Sequence, residues 1–158
     1  MSRLAEAKAD IEKIYKDNNL MVVLDVMDLI EKYTTVEGKT LMEFAVDDLQ
    51  ADALKLCSLN FYLGTMASNL EADFVQATNK RRYQEANIWN QTKKNNPDMK
   101  LGEVDKVAEE SLAIYRIDEG EKQRKMMIMR QAVESVSEVV NMLKKVVERL
   151  LIQGTTGT

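Results

Sequence analysis

Apolar residues recur along most of this chain at the three-and-four spacing of helices packed side by side, most regularly near its C-terminal end. With Met126 as position a of a heptad, positions a and d read Met126, Met129, Val133, Val136, Val140, Leu143, Val147 and Leu150 without a slip. The g positions Ala132, Val139 and Val146 are apolar too. That stripe is wider than a two-stranded seam and suits a helix with more than one neighbour. The eight a and d residues are read as the oligomerisation set. They pack on Leu49 to Phe74 of their own chain and leave a flank for other copies.

Upstream, Leu4, Ala7, Ile11, Ile14 and Tyr15 predict a first short helix over residues 2–17, with Asp17-Asn18-Asn19 ending it and capping the next. Leu20, Leu24, Met27 and Ile30 share one face of a second helix that reaches Tyr33, and Thr34 to Gly38 break the pattern. Thr40-Leu41-Met42-Glu43 fits a capping box that opens a long helix to about Lys94. Its core line, Leu56, Leu59, Leu63, Met66, Leu70, Phe74 and Ala77, keeps phase across Gly64, which favours one unbroken helix.

Asn95-Asn96-Pro97-Asp98 is the strongest turn signal. The last helix begins near Leu101 to Val104 and runs to about Ile152, with Gly120 as its weak point. A turn at Pro97 makes a residue x face roughly residue 197 minus x, because both arms rise equally per residue. The expectation is an all-α chain, two short N-terminal helices plus a long antiparallel helical hairpin, assembling through coiled-coil-like packing. Residues 1–153 form one domain, and 154–158 a disordered tail.

Composition narrows the chemistry. At 158 residues, with 45% apolar and 30% charged residues, one Pro and a net charge of -4, the chain reads as a helical protein whose basic sites must be local. Histidine is absent, which excludes Ser-His-Asp and Cys-His catalysis and histidine-bearing metal sites. The single cysteine, Cys57, sits in an apolar run, is read as a small core residue, and points to a reducing intracellular setting. Met1-Ser2-Arg3 leads directly into a charged pattern, so no signal peptide is expected. The longest charge-free run, Leu56 to Leu70, is too short to span a bilayer. A cytoplasmic protein without a membrane contact follows, in the host cytoplasm if phage-encoded.

The sharpest local feature runs from Asn79-Lys80-Arg81-Arg82-Tyr83 to Trp89-Asn90-Gln91-Thr92-Lys93-Lys94. Residues 80–94 hold five bases and one acid, Glu85, a local charge of +4. Beyond Ala77 the core line falters at Arg81, Gln84 and Ile88, so this helix end is expected to project from the packed body. Cations neutralise phosphates and aromatic rings accept unstacked bases. Lys80, Arg81, Arg82, Tyr83, Trp89, Lys93 and Lys94 are therefore the candidate nucleic-acid contacts. A solvated helix end with Trp89 docked on another chain is the competing reading. Arg116 falls near Arg81 across the hairpin, although Asp118, Glu119 and Glu121 dilute any shared basic patch.

The i, i+4 carboxylate pairs Asp48/Asp52, Asp105/Glu109 and Glu134/Glu138 have chelating spacing, but the paired Glu-x-x-Glu and Glu-x-x-Asp motifs of helical pyrophosphohydrolases do not occur. No catalytic constellation, metal or cofactor is expected. Met126, Met127, Met129 and Met142 are read as core.

With Lys80-Arg81-Arg82-Tyr83 in a long helix, a polar turn after it and Met126 to Leu150 closing the chain, residues 41–153 resemble the UvsY-like recombination mediators of phages. Gln84-Glu85-Ala86 follows Tyr83 where that family continues Tyr-Tyr-x-Gly. The resemblance implies a ring-forming helical protein that binds single-stranded DNA and loads a recombinase. The alternative is a protein-interaction module, such as a phage or virus assembly or anti-defence factor.

Overall fold

The computed structural model describes residues 13, 15–16, 20–34 and 41–155, and every regular element among them is helical. Helix α1 spans Met21–Thr34, a single 3-10 turn covers Leu41–Glu43, α2 runs Val46–Asn95, α3 Leu101–Ser111 and α4 Ala113–Thr155. The all-α expectation holds, and α2 passes Gly64 without a break. The first predicted helix lies outside the described residues except for Lys13, Tyr15 and Lys16, which are helical. Residues 17–19, 35–38, Thr40 of the expected capping box and residues 156–158 also lie outside them.

Boundaries moved where local chemistry overrode periodicity. Helix α2 starts at Val46 instead of Leu41, with Asp47 and Asp48 in the first turn, where the helix dipole favours acids. Helix α4 continues through Thr155, beyond the expected end at Ile152. The interruption of the last arm falls at Leu112 instead of Gly120. Leu112 has φ -92° and ψ -2°, and its N–H is shared between the carbonyls of Ala108 (3.1 Å) and Glu109 (3.2 Å). The ladder resumes with the Arg116 N–H donating to the Leu112 carbonyl at 3.0 Å. Leu112 is fully buried, so packing holds the irregular residue.

Gly120 stays helical, and a Cβ added there meets nothing within 4 Å. Gly120→Ala is expected to raise the unfolding free energy by about 0.5–1 kcal/mol, read as a higher urea midpoint, because alanine loses less backbone entropy on folding.

The described residues form two compact units, one from those up to 66 together with those from 128 onward, the other residues 67–127. In the first, α1, the start of α2 and the end of α4 bury Val23 and Val26, Leu49, Leu56 and Leu63, and Met129, Val136 and Leu143. Positions a and d of α4 face this interior: Met129, Val136, Val140, Leu143 and Val147 are buried, while Val133 and Leu150 are half-buried. The apolar g residues Ala132 and Val139 are buried too, which accounts for the width of the stripe.

The register matches the turn at Pro97. Asn60 Nδ2 donates to Ser137 Oγ at 2.9 Å, and that hydroxyl donates to the Val133 carbonyl at 2.9 Å. Asn60 Oδ1 is buried without a partner. Asn60 therefore belongs to the packed seam of α2, which in this unit reads Leu49, Ala53, Leu56, Asn60, Leu63. Cys57, expected in the core, is exposed because it falls one position off that seam.

Helix α1 is tied to α2 by charge. Lys32 Nζ donates to Asp52 Oδ2 at 2.6 Å, and the Tyr33 hydroxyl donates to the same oxygen. The Tyr33 ring also meets Phe44 at 5.7 Å between centroids, tilted by 57°. Bonds from Lys32 and Tyr33 hold the Asp52 carboxyl below its ordinary range, and burial pushes the Tyr33 phenol up. A carboxyl depressed in the folded state stabilises fully above its unfolded pKa of about 4, and loses that contribution as pH falls toward the folded value. Denaturation midpoints measured from pH 7 down to pH 3 should fall in the parent protein. In Asp52→Asn that acid slope should be shallower.

Candidate nucleic-acid interface

The second unit holds the basic-aromatic end of α2, and here α3 lines the last turns of that helix. Val104, Ala108 and Leu112 are buried and Asp105 of α3 bonds Trp89 of α2, so the end of α2 is flanked on one side instead of projecting bare. Arg81, Gln84 and Ile88 are each half-buried. Thr78 and Glu119 confirm the same pairing rule, with Thr78 Oγ1 donating to Glu119 Oε1 at 2.7 Å.

Three of the seven candidate contacts have intrachain tasks. Arg81 Nε donates to Glu119 Oε2 at 2.6 Å, and its NH1 donates to Glu85 Oε2 at 2.9 Å. Bonds from Thr78 and Arg81 outweigh desolvation and hold the Glu119 carboxyl below its usual range. Trp89 Nε1 donates to Asp105 Oδ1 at 3.0 Å, which pins α3 to α2. Lys93 Nζ donates to the carbonyls of Pro97 (2.6 Å) and Met99 (2.9 Å) and closes the turn between the helices. Each of these side chains is half-buried.

The other four remain at the surface. Lys80, Arg82 and Lys94 are exposed, and Tyr83 is 70% exposed. Lys80 Nζ lies 5.7 Å from the centroid of the Tyr115 ring, a contact that leaves its charge in water. Lys80, Tyr83, Asn90 and Lys94 follow one helical stripe, with Arg82 and the exposed Ala86 beside it.

Electrostatics keep this patch local. Residues 67–127 carry eleven acids and eleven bases, so the unit as a whole attracts no polyanion. Residues 103–117, opposite the patch by register, hold four acids and two bases. Arg116 pairs with Glu109 at 3.0 Å and Lys122 with Asp118 at 3.3 Å, so neither adds a bare charge.

Three of the six carboxylates read for chelating spacing are likewise engaged: Asp52 by Lys32 and Tyr33, Asp105 by Trp89, Glu109 by Arg116. Among the described residues no group of three acidic, His or Cys side chains is placed to hold a metal ion. Of the methionines, Met126 and Met129 are buried, Met142 is half-buried and Met127 is 59% exposed, one position off the seam. No helix among the described residues is long and apolar enough to cross a membrane.

Glu119, expected to dilute a shared basic patch, bonds Arg81 directly, and its place opposite Thr78 follows from the register. The sequence offered no signal for a set of bare apolar side chains: Leu54 (70% exposed), Phe61 (82%), Ile114 (78%) and Ile117 (63%). The outer flank of α4 adds a shallow groove of about 440 Å³ lined by Glu138, Asn141, Met142, Lys145, Val146 and Arg149. Comparison with protein-family models, curated proteins and solved structures finds no match to this chain.

Proposed function

We propose that this is a non-enzymatic helical protein, working as a homo-oligomer, that holds single-stranded DNA on the outer stripe of α2. Tyr83 carries the reading: a ring 70% exposed on a helix, with Lys80 and Arg82 beside it and Lys94 farther along the same stripe. A ring in water offers a stacking surface to any unpaired base, and the flanking cations meet the phosphates. The resemblance to UvsY-like mediators supports the same reading and extends it to a recombinase partner.

The geometry lowers the number of phosphates expected. Arg81 and Lys93 are engaged, which leaves Lys80, Arg82 and Lys94 to neutralise about three phosphates, for a log-log salt slope of roughly -2. All five bases would give roughly -3.5. Fluorescence polarisation of a labelled oligonucleotide across a salt series measures this slope. Absence of binding at low salt with micromolar protein ends the proposal.

The second reading, docking of another protein, draws on the bare apolar residues of α2 and α4. Phe61 and Leu54 are of the size and exposure that anchor a partner helix. A stoichiometric protein recovered in a pull-down, insensitive to nuclease and lost with Phe61→Ser, would favour it.

A further inference from the structure

Across the end of α3 and the start of α4, two exposed isoleucines are flanked by two exposed acids at helical spacing: Glu110, Ile114, Ile117 and Glu121. Ile114 and Ile117 are among the barest large apolar residues described, and neither Glu110 nor Glu121 has a salt bridge. Apolar side chains between two unpaired acids call for a partner with the reverse pattern, cations flanking small or flat side chains. The same unit carries such a surface on α2: Arg82, Tyr83, Ala86 and Lys94, all exposed.

We propose that the Glu110–Ile114–Ile117–Glu121 stripe of one copy packs antiparallel on the Arg82–Tyr83–Ala86–Lys94 stripe of a second copy. Set antiparallel with Glu121 opposite Arg82, Ile117 falls opposite Ala86 and Glu110 opposite Lys93, one residue from the exposed Lys94, since both helices rise equally per residue. The small Ala86 makes room for the isoleucine, and Tyr83 covers the gap between Ile117 and Glu121. Neither stripe faces itself in this contact, so copies join head to tail and a third can add to the second. Arg82, Tyr83 and Lys94 are also the residues proposed to hold DNA, so strand and second copy compete. That competition rests on the DNA reading; the pairing of copies does not.

Charge reversal tests it on the full chain. Glu110→Arg with Glu121→Arg, and separately Arg82→Glu with Lys94→Glu, should each weaken self-association about a hundredfold in sedimentation velocity. An equimolar mixture of the two should restore association, with the two variants alternating, because each junction then pairs acids with bases. The isosteric pair Glu110→Gln with Glu121→Gln should weaken association less while keeping the parent's circular dichroism, which separates loss of contact from loss of fold. Unchanged association in both reversed variants overturns the proposal, as does a monomeric parent, or a mixture that stays monomeric. The acid-side variant retains Lys80, Arg82, Tyr83 and Lys94, so its oligonucleotide affinity should rise. If the mixture associates and no variant binds DNA, the pairing holds and the DNA reading fails.

Discussion

Leu143→Ala is expected to lower the unfolding free energy by about 2–5 kcal/mol. Leu143 is fully buried at a d position of α4, on the seam that also holds Val136, Val140 and Val147. Removing its branched end deletes buried surface and leaves a cavity that two rigid helices cannot close. Phe61→Ala deletes a larger side chain, yet the ring is 82% exposed, so the monomer should lose less than about 0.5 kcal/mol. Urea denaturation of both variants checks the contrast. Equal losses would mean that the inner and outer faces of the hairpin are misassigned.

Adjacent arginines should behave as opposites. Arg81→Ala removes the one cation shared by Glu85 and Glu119 and leaves Glu119, with a side chain 19% exposed, short of that cation. A stability loss of about 1 kcal/mol follows, because only the Thr78 hydroxyl then offsets desolvation of that carboxylate. Arg82→Ala removes an exposed cation that forms no salt bridge and should leave the urea midpoint nearly unchanged, while weakening oligonucleotide binding by several-fold at low salt. Denaturation and polarisation run on the same two variants give the full pattern.

Much of the fold was legible because the two helices of the hairpin share one turn and one rise per residue. The single turn signal at Pro97 was enough to place Asn60 opposite Ser137 and Thr78 opposite Glu119. The seam of α2 was less legible. A reading that sought large apolar residues chose Leu59 and Met66, both half-buried, and passed over Asn60 and Ala67, which hold the seam positions. Small and polar residues are used where two helices approach closely, so hydrophobicity alone places the stripe one residue to the side. Gly120 looked like the hinge by propensity; packing around Leu112 put the irregularity elsewhere.

The candidate site was legible as a cluster but not as a division of labour. Charge and aromatic content single out residues 79–94. Which cations are bare depends on what α3, the turn and Glu119 bring across the hairpin, and only tertiary geometry supplies that. Trp89, the most conspicuous side chain, is held by Asp105; Tyr83, less conspicuous, is the ring in water.

That difference gives the most direct measurement. Ultraviolet cross-linking of the full chain to a thymine-rich oligonucleotide, followed by tryptic digestion and fragment-level mass spectrometry, locates the residue that stacks on a base. The peptide covering residues 83–93 contains both rings. The adduct is expected on Tyr83, lost in Tyr83→Ala and retained in Trp89→Phe. An adduct on Trp89, on a residue outside the second unit, or on none at all would contradict that expectation.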